Sequence, residues 1–151
     1  MIHIQVDEEY WSSVNSAELR KAAKIACSVA GFPANSEFTI VITGDEQVRE
    51  LNREYRKIDD TTDVLSFPSE EKDPETGIGY LGDIIISHPR ASRQAAKAGH
   101  PCQEEICLLV IHGTLHLAGH DHADKEQQKA MFSLQREALL SMNISIKGFS
   151  K

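Results

Sequence analysis

The sequence predicts an α+β fold, a four-stranded mixed β-sheet packed against helices with one helix buried at the centre. Three observations predict it. Short apolar stretches with strand character are interleaved with segments of helical periodicity. One of these helical segments is apolar nearly all round, which is typical of a helix that runs through the core. No linker, repeat or low-complexity block divides residues 1–151, so we expect one domain.

The first third of the chain has the pattern strand, helix, strand. Apolar and polar residues alternate over residues 2–6, which indicates a half-buried strand. Asn15 and Glu18 form a capping box for a helix that Gly31 ends. A strand over residues 38–43 follows. Strands joined by a helix of this length are expected to lie parallel.

The middle of the chain supplies a second helix and two more strands. The helix is expected to begin near Thr43 or Asp45 and to bury one row of side chains, Val48, Leu51 and Tyr55. TTDVLSFP (residues 61–68) reads as a short strand closed by a proline. YLGDIIIS (residues 80–87) reads as a strand buried on both faces.

Three helices are predicted for the last third. Ser87 and Pro89 open the first of them, and Pro101 starts the central apolar helix. Asp124 and Gln127 form a capping box for the last helix. That helix is expected to turn one row of side chains inward, Met131, Leu134 and Ala138.

The composition, the net charge and the cysteine pattern limit the kinds of protein that this sequence can encode. The 151 residues are 40% hydrophobic and 26% charged, as in ordinary soluble domains. No apolar run approaches the ~20 residues of a membrane span, and no signal peptide is expected. The three cysteines form no C-x-x-C pair and are expected to be reduced and buried, as in the cytoplasm. A net charge of −7 argues against binding nucleic acid through a global positive field, though not against a local basic cleft.

The segment from residue 106 to residue 122, ICLLVIHGTLHLAGHDH, holds four of the seven histidines. His112 and His116 stand at i and i+4, so on a helix both imidazoles can reach one ion. A continuing helix would carry His122 about 9 Å beyond His116 and onto another face. Gly119 can end the helix and let the chain fold back. The pattern H-x-x-x-H-x-x-G-x-x-H therefore predicts a metal site formed by His112, His116 and His122.

His120 has a different expected role. His112, His116 and His120 also form a ladder at i, i+4 and i+8, which spans about 12 Å along a helix axis. Metal–nitrogen bonds of about 2 Å cannot join both ends of that ladder to one ion. We therefore expect His120 to line the wall of the site or to be exposed.

Three imidazoles without a fourth protein ligand leave one coordination position open, which is typical of a catalytic zinc. We expect one Zn²⁺ per chain. The histidine spacing resembles that of the metzincin peptidases, whose general-base glutamate follows the first histidine. Gly113 occupies that position here and cannot accept a proton. The alternative to a metal site is a buried helix with hydrogen-bonded core histidines.

The chain resembles a known family in three segments. These are HGTLHLAGHDH (112–122), NREYRKIDDTTDVLSFP (52–68) and GDIIIS (82–87). All three are similar to the YbeY family, bacterial zinc-dependent, single-strand-specific endoribonucleases that mature rRNA. The resemblance implies a four-stranded mixed sheet surrounded by helices. It also implies metal ligation by His112, His116 and His122 and a role in activity for Arg56. His120 departs from the family, which usually has an aromatic residue there.

The resemblance further implies a function. It implies maturation of ribosomal RNA, notably the 3′ end of the small-subunit RNA, and ribosome quality control in the cytoplasm. The expected partners are single-stranded RNA, rRNA and ribosomal particles, with no DNA and no membrane.

The catalytic hypothesis assigns phosphate binding to Arg56, whose planar guanidinium can stabilise developing negative charge. Asp63 and Asp83 are candidates for a general base, although each can instead bind backbone at its strand. Asp121 can orient a ligand histidine or simply form a turn. The attacking group is left open between water and the 2′-hydroxyl of the RNA.

The sequence leaves further RNA contacts open. The basic candidates, which can equally be solvated surface charges, are Arg53, Arg90, Arg93 and Lys97. The candidates for stacking on bases, which can equally be packing residues, are Trp11, Tyr55, Phe67 and Tyr80. Two rival functions also stay open. One is a non-catalytic, zinc-stabilised ribosome- or RNA-binding factor. The other is a metal-dependent hydrolase of peptides or small molecules.

Overall fold

A computed structural model describes residues 1–69, 79–120 and 124–144. The strands within these ranges are β1 (Ile2–Val6), β2 (Glu37–Thr43), β3 (Val64–Pro68) and β4 (Tyr80–Ser87). The α-helices are α1 (Ser16–Ala30), α2 (Asp45–Arg56), α3 (His88–Ala98), α4 (Cys102–Leu117) and α5 (Lys125–Ser141). A short 3-10 helix over Glu8–Ser13 was not predicted from the sequence.

The four strands form one mixed sheet in the order β1-β2-β4-β3. β1 lies parallel to β2, and β2 lies parallel to β4. β3 is antiparallel to β4, with Ser66 opposite Ile84. The predicted mixed four-stranded sheet and the parallel pairing of the first two strands are therefore confirmed, and β3 forms one edge of the sheet.

Helix α4 runs through the core, as its apolar pattern predicts. All residues from Glu105 to Leu115 are buried. The helix contacts β3 and β4 on one side and α1, α3 and α5 on the others. Gly113 faces the sheet, because a Cβ there would lie 2.7 Å from Ile84 Cγ2. A glycine at this position lets the helix backbone approach β4 closely.

The other face of the sheet has a smaller apolar cluster. Val48 of α2 packs there with Leu65 of β3 and Ile85 of β4. Because side chains alternate along a strand, Ser66 and Ile84 point towards α4 while Phe67 and Ile85 point towards α2. The two faces of β3 therefore serve different layers of the protein.

The predicted helix ends are confirmed where the sequence offered a capping residue. The side chains of Asn15 and Asp124 accept hydrogen bonds from the backbone N–H groups of Glu18 and Gln127, at 3.1 and 2.8 Å. Gly31 ends α1 with a left-handed φ of 84°. These contacts are local in sequence, which is why a pattern of a few residues predicts them.

The prediction that Tyr55 is buried is wrong. Its side chain is 62% exposed, and its ring makes a T-shaped contact with that of Phe67 at a centroid distance of 5.4 Å. The inward row of α2 runs instead through Val48 and Asn52 at i and i+4. Asn52 is 3% exposed and donates a hydrogen bond from Nδ2 to the carbonyl of Asp60 at 2.9 Å. None of the helices in the described ranges has the length and apolar character needed to span a membrane.

Candidate metal centre and its cavity

The centre of the candidate site is the histidine pair on α4. The Nε2 atoms of His112 and His116 lie 3.0 Å apart, and the two rings meet at 73°. Two nitrogens at this separation can each lie about 2.0–2.1 Å from one zinc ion, the usual Zn–N bond length. Their i, i+4 spacing on a regular helix produces this convergence, as the sequence predicts. The donor pair therefore fits a metal such as zinc.

A glutamine from the last helix contacts the first of these histidines. Gln135 of α5 is fully buried, and its Oε1 lies 2.5 Å from Nδ1 of His112. His112 itself is 5% exposed, whereas His116 is half-buried. The imidazole of His112 is therefore bounded by α5 on its Nδ1 side and by His116 on its Nε2 side.

The helix ends after the second histidine as the glycine predicts. Gly119 has a φ of 94°, and its N–H donates to the carbonyl of His116 at 3.0 Å. The N–H of His120 reaches back to the carbonyl of Leu115 at 3.1 Å. This pair of bonds is a Schellman motif, which ends the helix. The predicted helix end at Gly119 is confirmed, whereas the predicted fold-back towards His122 lies outside the described residues.

The third predicted ligand lies outside the described residues. His122, and Asp121 with it, fall in the interval between residues 120 and 124. Within residues 1–69, 79–120 and 124–144, no group of three His, Cys, Asp or Glu side chains is placed to hold a metal ion. Ligation by His112, His116 and His122 thus stays a prediction.

The histidine pair opens into a cavity of about 560 Å³. Its described lining comes from α2, from the segment leading into β3, from β3 itself, from α4 and from the turn after α4. These residues are Arg56, Thr62, Asp63, Val64, Ser66, Pro68, His112, His116, Gly119 and His120. The volume is typical of a small-molecule or single-residue binding site. His120 lines the wall, as predicted.

Arg56 is the one arginine or lysine among the described lining residues. It is the last residue of α2, which packs on the opposite face of the sheet, and it borders the cavity together with β3. The sequence-predicted catalytic arginine and two of the three predicted metal ligands therefore meet in one cavity. The basic groups on Arg53, Arg90, Arg93 and Lys97 are not among the described lining residues.

Arg93 has a structural partner. It lies 3.1 Å from Oδ2 of Asp45, while Ser87 Oγ donates to Oδ1 of the same carboxylate at 2.6 Å. Burial opposes ionisation of Asp45, but the hydrogen bonds from Ser87 and Arg93 outweigh it and lower the pKa of the carboxyl. Arg93 thus ties α3 to the start of α2, which agrees with a structural role for that charge.

The two candidate bases are separated by the sheet. Asp63 lines the cavity, and its Oδ1 accepts a hydrogen bond from the backbone N–H of Val64 at 2.9 Å. Asp83 is next to Ile84, which faces α4, so its side chain points to the opposite face. It accepts a hydrogen bond from Tyr80, whose pKa is raised by burial and by this bond. Asp83 is therefore not a base for this site, and Asp63 is the only carboxylate in the described lining.

The aromatic candidates for stacking on RNA bases differ in their exposure and in their position relative to the cavity. Tyr80 is half-buried and bonded to Thr39 and Asp83, so it packs within the sheet. Trp11 is 64% exposed but is not part of the described cavity lining. Tyr55 is exposed and directly precedes Arg56 in α2. Of the four, Tyr55 has the exposed ring adjacent in sequence to a cavity residue.

Sequence reasoning missed several residues that shape the site. Thr62 and Ser66 line the cavity, and Ser66 Oγ donates to the carbonyl of Gly113 at 3.3 Å. Gln135 was missed as well. It lies four residues after Met131, on the buried face of α5, so a polar side chain within an apolar row was the available sign.

The chain is similar to known proteins over nearly its whole length. A family model described as endoribonuclease YbeY matches residues 3–143. An endoribonuclease YbeY from Shouchella clausii is 39% identical, over 95% of this chain and 97% of its own. One from Aquifex aeolicus is 41% identical over 85% of this chain and 83% of its own. The solution structure of TM1509 from Thermotoga maritima superposes with a TM-score of 0.64 at 26% identity, covering 99% of both chains. The chain belongs to the YbeY endoribonuclease family.

Proposed function

We propose that the protein is a single-strand-specific, zinc-dependent endoribonuclease that acts in rRNA maturation, at the 3′ end of the small-subunit RNA, and in ribosome quality control. One observation carries the proposal. A convergent histidine pair and a guanidinium line the same cavity of about 560 Å³. Membership of a family named for endoribonuclease activity supports RNA as the substrate.

Arg56 is the group that would bind the scissile phosphate. A guanidinium offers five N–H donors in a plane and can grip two phosphate oxygens at once. It is positively charged at any physiological pH, so it stabilises the extra negative charge that develops at phosphorus during phosphodiester cleavage. Its place at the rim of the cavity suits contact with a polymer whose backbone runs along the surface.

The metal would be held by His112 and His116, with His122 as the third ligand. Zinc bound there would supply Lewis acidity towards the phosphodiester oxygens. Asp63 is the carboxylate in the described lining that can accept a proton from the attacking hydroxyl, and His120 is a second titratable group in the same wall.

Single-strand specificity is supported by an exposed aromatic ring next to Arg56 in the sequence. The exposed ring of Tyr55 precedes Arg56, so a base could stack on the ring while the neighbouring phosphate meets the guanidinium. A base within a duplex is already stacked on its neighbours and is not available for such a contact. An unpaired strand is therefore the substrate form that such a contact requires.

Position 113 argues against peptidase chemistry. A glutamate there would serve as general base in a metzincin, but even a Cβ at residue 113 would lie 2.7 Å from Ile84 Cγ2. The close approach of α4 to β4 therefore leaves no space for a side chain at this position. A peptide hydrolase with this histidine spacing would need a different base.

The cleavage reaction is tested by comparing Arg56→Ala with Arg53→Ala. Both arginines lie in the last turn of α2, but Arg53 is not among the described lining residues. We expect Arg56→Ala to stay folded, to retain zinc and to lose roughly 100-fold or more in cleavage of single-stranded RNA. Arg53→Ala should cleave at nearly the wild-type rate. Equal activities of the two variants would contradict the role of Arg56.

The chemistry of the product ends decides the nucleophile. A 2′,3′-cyclic phosphate would identify attack by the neighbouring 2′-hydroxyl, and a 5′-phosphate would identify attack by water. The ribosomal role is tested in a strain lacking this gene. Precursor 3′ ends of small-subunit RNA should accumulate there and disappear with the wild-type gene but not with the Arg56→Ala variant.

A non-catalytic RNA-binding factor is the second candidate, and it is favoured by the described cavity lining, which offers a single carboxylate as a general base. On that hypothesis Arg56→Ala would lower RNA affinity in a protein that never cleaves. Absence of cleavage by the zinc-loaded wild type, across single-stranded substrates that it binds, would favour the binding factor over the nuclease.

A further inference from the structure

Gln135 stands out as a polar side chain in an apolar environment. It is completely buried on the inner face of α5, in a row with Met131 and Ala138. Its Oε1 lies 2.5 Å from Nδ1 of His112 on α4. This hydrogen bond joins two helices across 23 residues of sequence and ends on one of the two convergent imidazoles.

The direction of this bond determines which tautomer His112 adopts. An amide oxygen only accepts hydrogen bonds, so the shared hydrogen must lie on Nδ1 of His112. A neutral imidazole carries a single N–H, and Nε2 is therefore left with its lone pair. That lone pair lies 3.0 Å from Nε2 of His116, at the cavity. The hydrogen bond from His112 to Gln135 thus leaves Nε2 of His112 with the free lone pair that a metal ligand requires.

The amide nitrogen of Gln135 is not satisfied by the described residues. Nε2 of Gln135 is buried and has no hydrogen-bond partner within the described ranges. Burying such a group costs free energy, and an apolar side chain of similar length would avoid that cost. A purely structural role in α5 therefore gives no reason for a glutamine here, whereas the bond to His112 does.

We propose that Gln135 is a positioning residue that holds His112 in the tautomer and ring orientation required for metal ligation through Nε2. The proposal deepens the proposed function and rests on it, because it takes His112 as a metal ligand. Metal-binding histidines in general depend on such partners at the second ring nitrogen, which fix the ring and make the ligand more basic.

The test uses two substitutions and one control. Gln135→Met keeps the length and volume of the side chain but removes the acceptor. Gln135→Glu keeps an acceptor and removes the unpaired N–H₂ group. Gln128→Met makes the same chemical change on the same helix at a half-buried position. Three quantities are measured for each protein: the zinc dissociation constant by competition with a chromogenic chelator, the His112 tautomer by ¹⁵N NMR of the metal-free protein, and the melting temperature.

We expect Gln135→Met to bind zinc roughly 10–100-fold more weakly than wild type, and Gln135→Glu to bind it at least as tightly. In the metal-free wild type, the NMR spectrum should place the hydrogen of His112 on Nδ1, and in Gln135→Met that preference should be lost. The melting temperature of metal-free Gln135→Met should stay near that of wild type, because the lost bond and the removed unpaired amide have opposite effects. Gln128→Met should match wild type throughout.

The outcomes separate this proposal from the proposed function. Zinc binding by wild type and Gln135→Met with equal affinity would overturn the role of Gln135 while leaving the metal site intact. Loss of affinity in Gln135→Glu would show that the glutamine donates to His112 through Nε2, which would also overturn it. A wild-type protein that binds no zinc would refute the metal site and the positioning role together.

Discussion

Substitution of Gly113 by alanine tests the close contact between α4 and the sheet. The added Cβ would lie 2.7 Å from Ile84 Cγ2 and 3.2 Å from both Ile84 Cγ1 and Ser66 Oγ. Overpacking of this kind costs about 1–3 kcal/mol, whereas replacing a helical glycine by alanine gains about 1 kcal/mol. The expected net loss of stability is therefore at most about 2 kcal/mol. It corresponds to a fall in melting temperature of up to ~8 °C for a chain of this size.

A double-mutant cycle isolates the steric part of this effect. Ile84→Ala alone should cost about 2–5 kcal/mol, because it leaves a cavity in the core. In the Gly113→Ala background the same substitution removes the clash, so its cost should fall by about 1–3 kcal/mol. Ala130→Gly, at an exposed position within α5, measures the helix propensity difference without any clash. The assay is urea unfolding followed by circular dichroism. Additivity of the two substitutions within about 0.5 kcal/mol would refute the contact.

Three further predictions concern Asp45, the two buried cysteines and Tyr55. The pKa of Asp45 in the folded protein lies below its unfolded value of 3.8. The ionised carboxylate therefore stabilises the folded state fully above pH 3.8, and this stabilisation is lost as the pH falls through the pKa of the folded protein. Asp45→Asn should therefore destabilise the protein by about 1–2 kcal/mol at pH 7 and flatten the acid limb of a stability–pH profile, and an unchanged profile would contradict this. Burial raises the pKa of Cys107 to about 12 and that of Cys27 to about 11, so neither thiol should be alkylated by iodoacetamide at pH 8 in the native protein. Mass spectrometry that finds either one modified before denaturation would disprove this. Tyr55→Ala should weaken binding of single-stranded RNA by about 1–3 kcal/mol while Tyr55→Phe retains it, as measured by fluorescence anisotropy, and equal affinities would remove the stacking role.

The parts of the fold that the sequence predicts are those determined by local chemistry. The caps at Asn15 and Asp124 and the helix end at Gly119 each depend on contacts within about five residues. The convergence of His112 and His116 is equally local, because helical geometry brings residues at i and i+4 together. A pattern can express such relations, and the structure confirms them.

The parts that the sequence could not predict depend on contacts between distant segments. The strand order β1-β2-β4-β3 inserts the last strand between its predecessors, and no property of the strands themselves predicts that. Tyr55 was expected to be buried because it continues the row of Val48 and Leu51 at helical spacing, and only the position of the sheet decides that Asn52 faces inward. The role of Gln135 depends on its hydrogen bond with His112, which lies 23 residues earlier on another helix.

Zinc content and cleavage of a single-stranded RNA, measured on the same preparations of the wild type and of His116→Ala, decide whether the histidine pair holds a catalytic metal. We expect one zinc per wild-type chain. We also expect the substitution to abolish both zinc binding and cleavage while the circular dichroism spectrum remains that of a folded α+β protein. Cleavage by the wild type in excess chelator, or a His116→Ala variant that keeps its zinc and its activity, would contradict a metal-dependent nuclease.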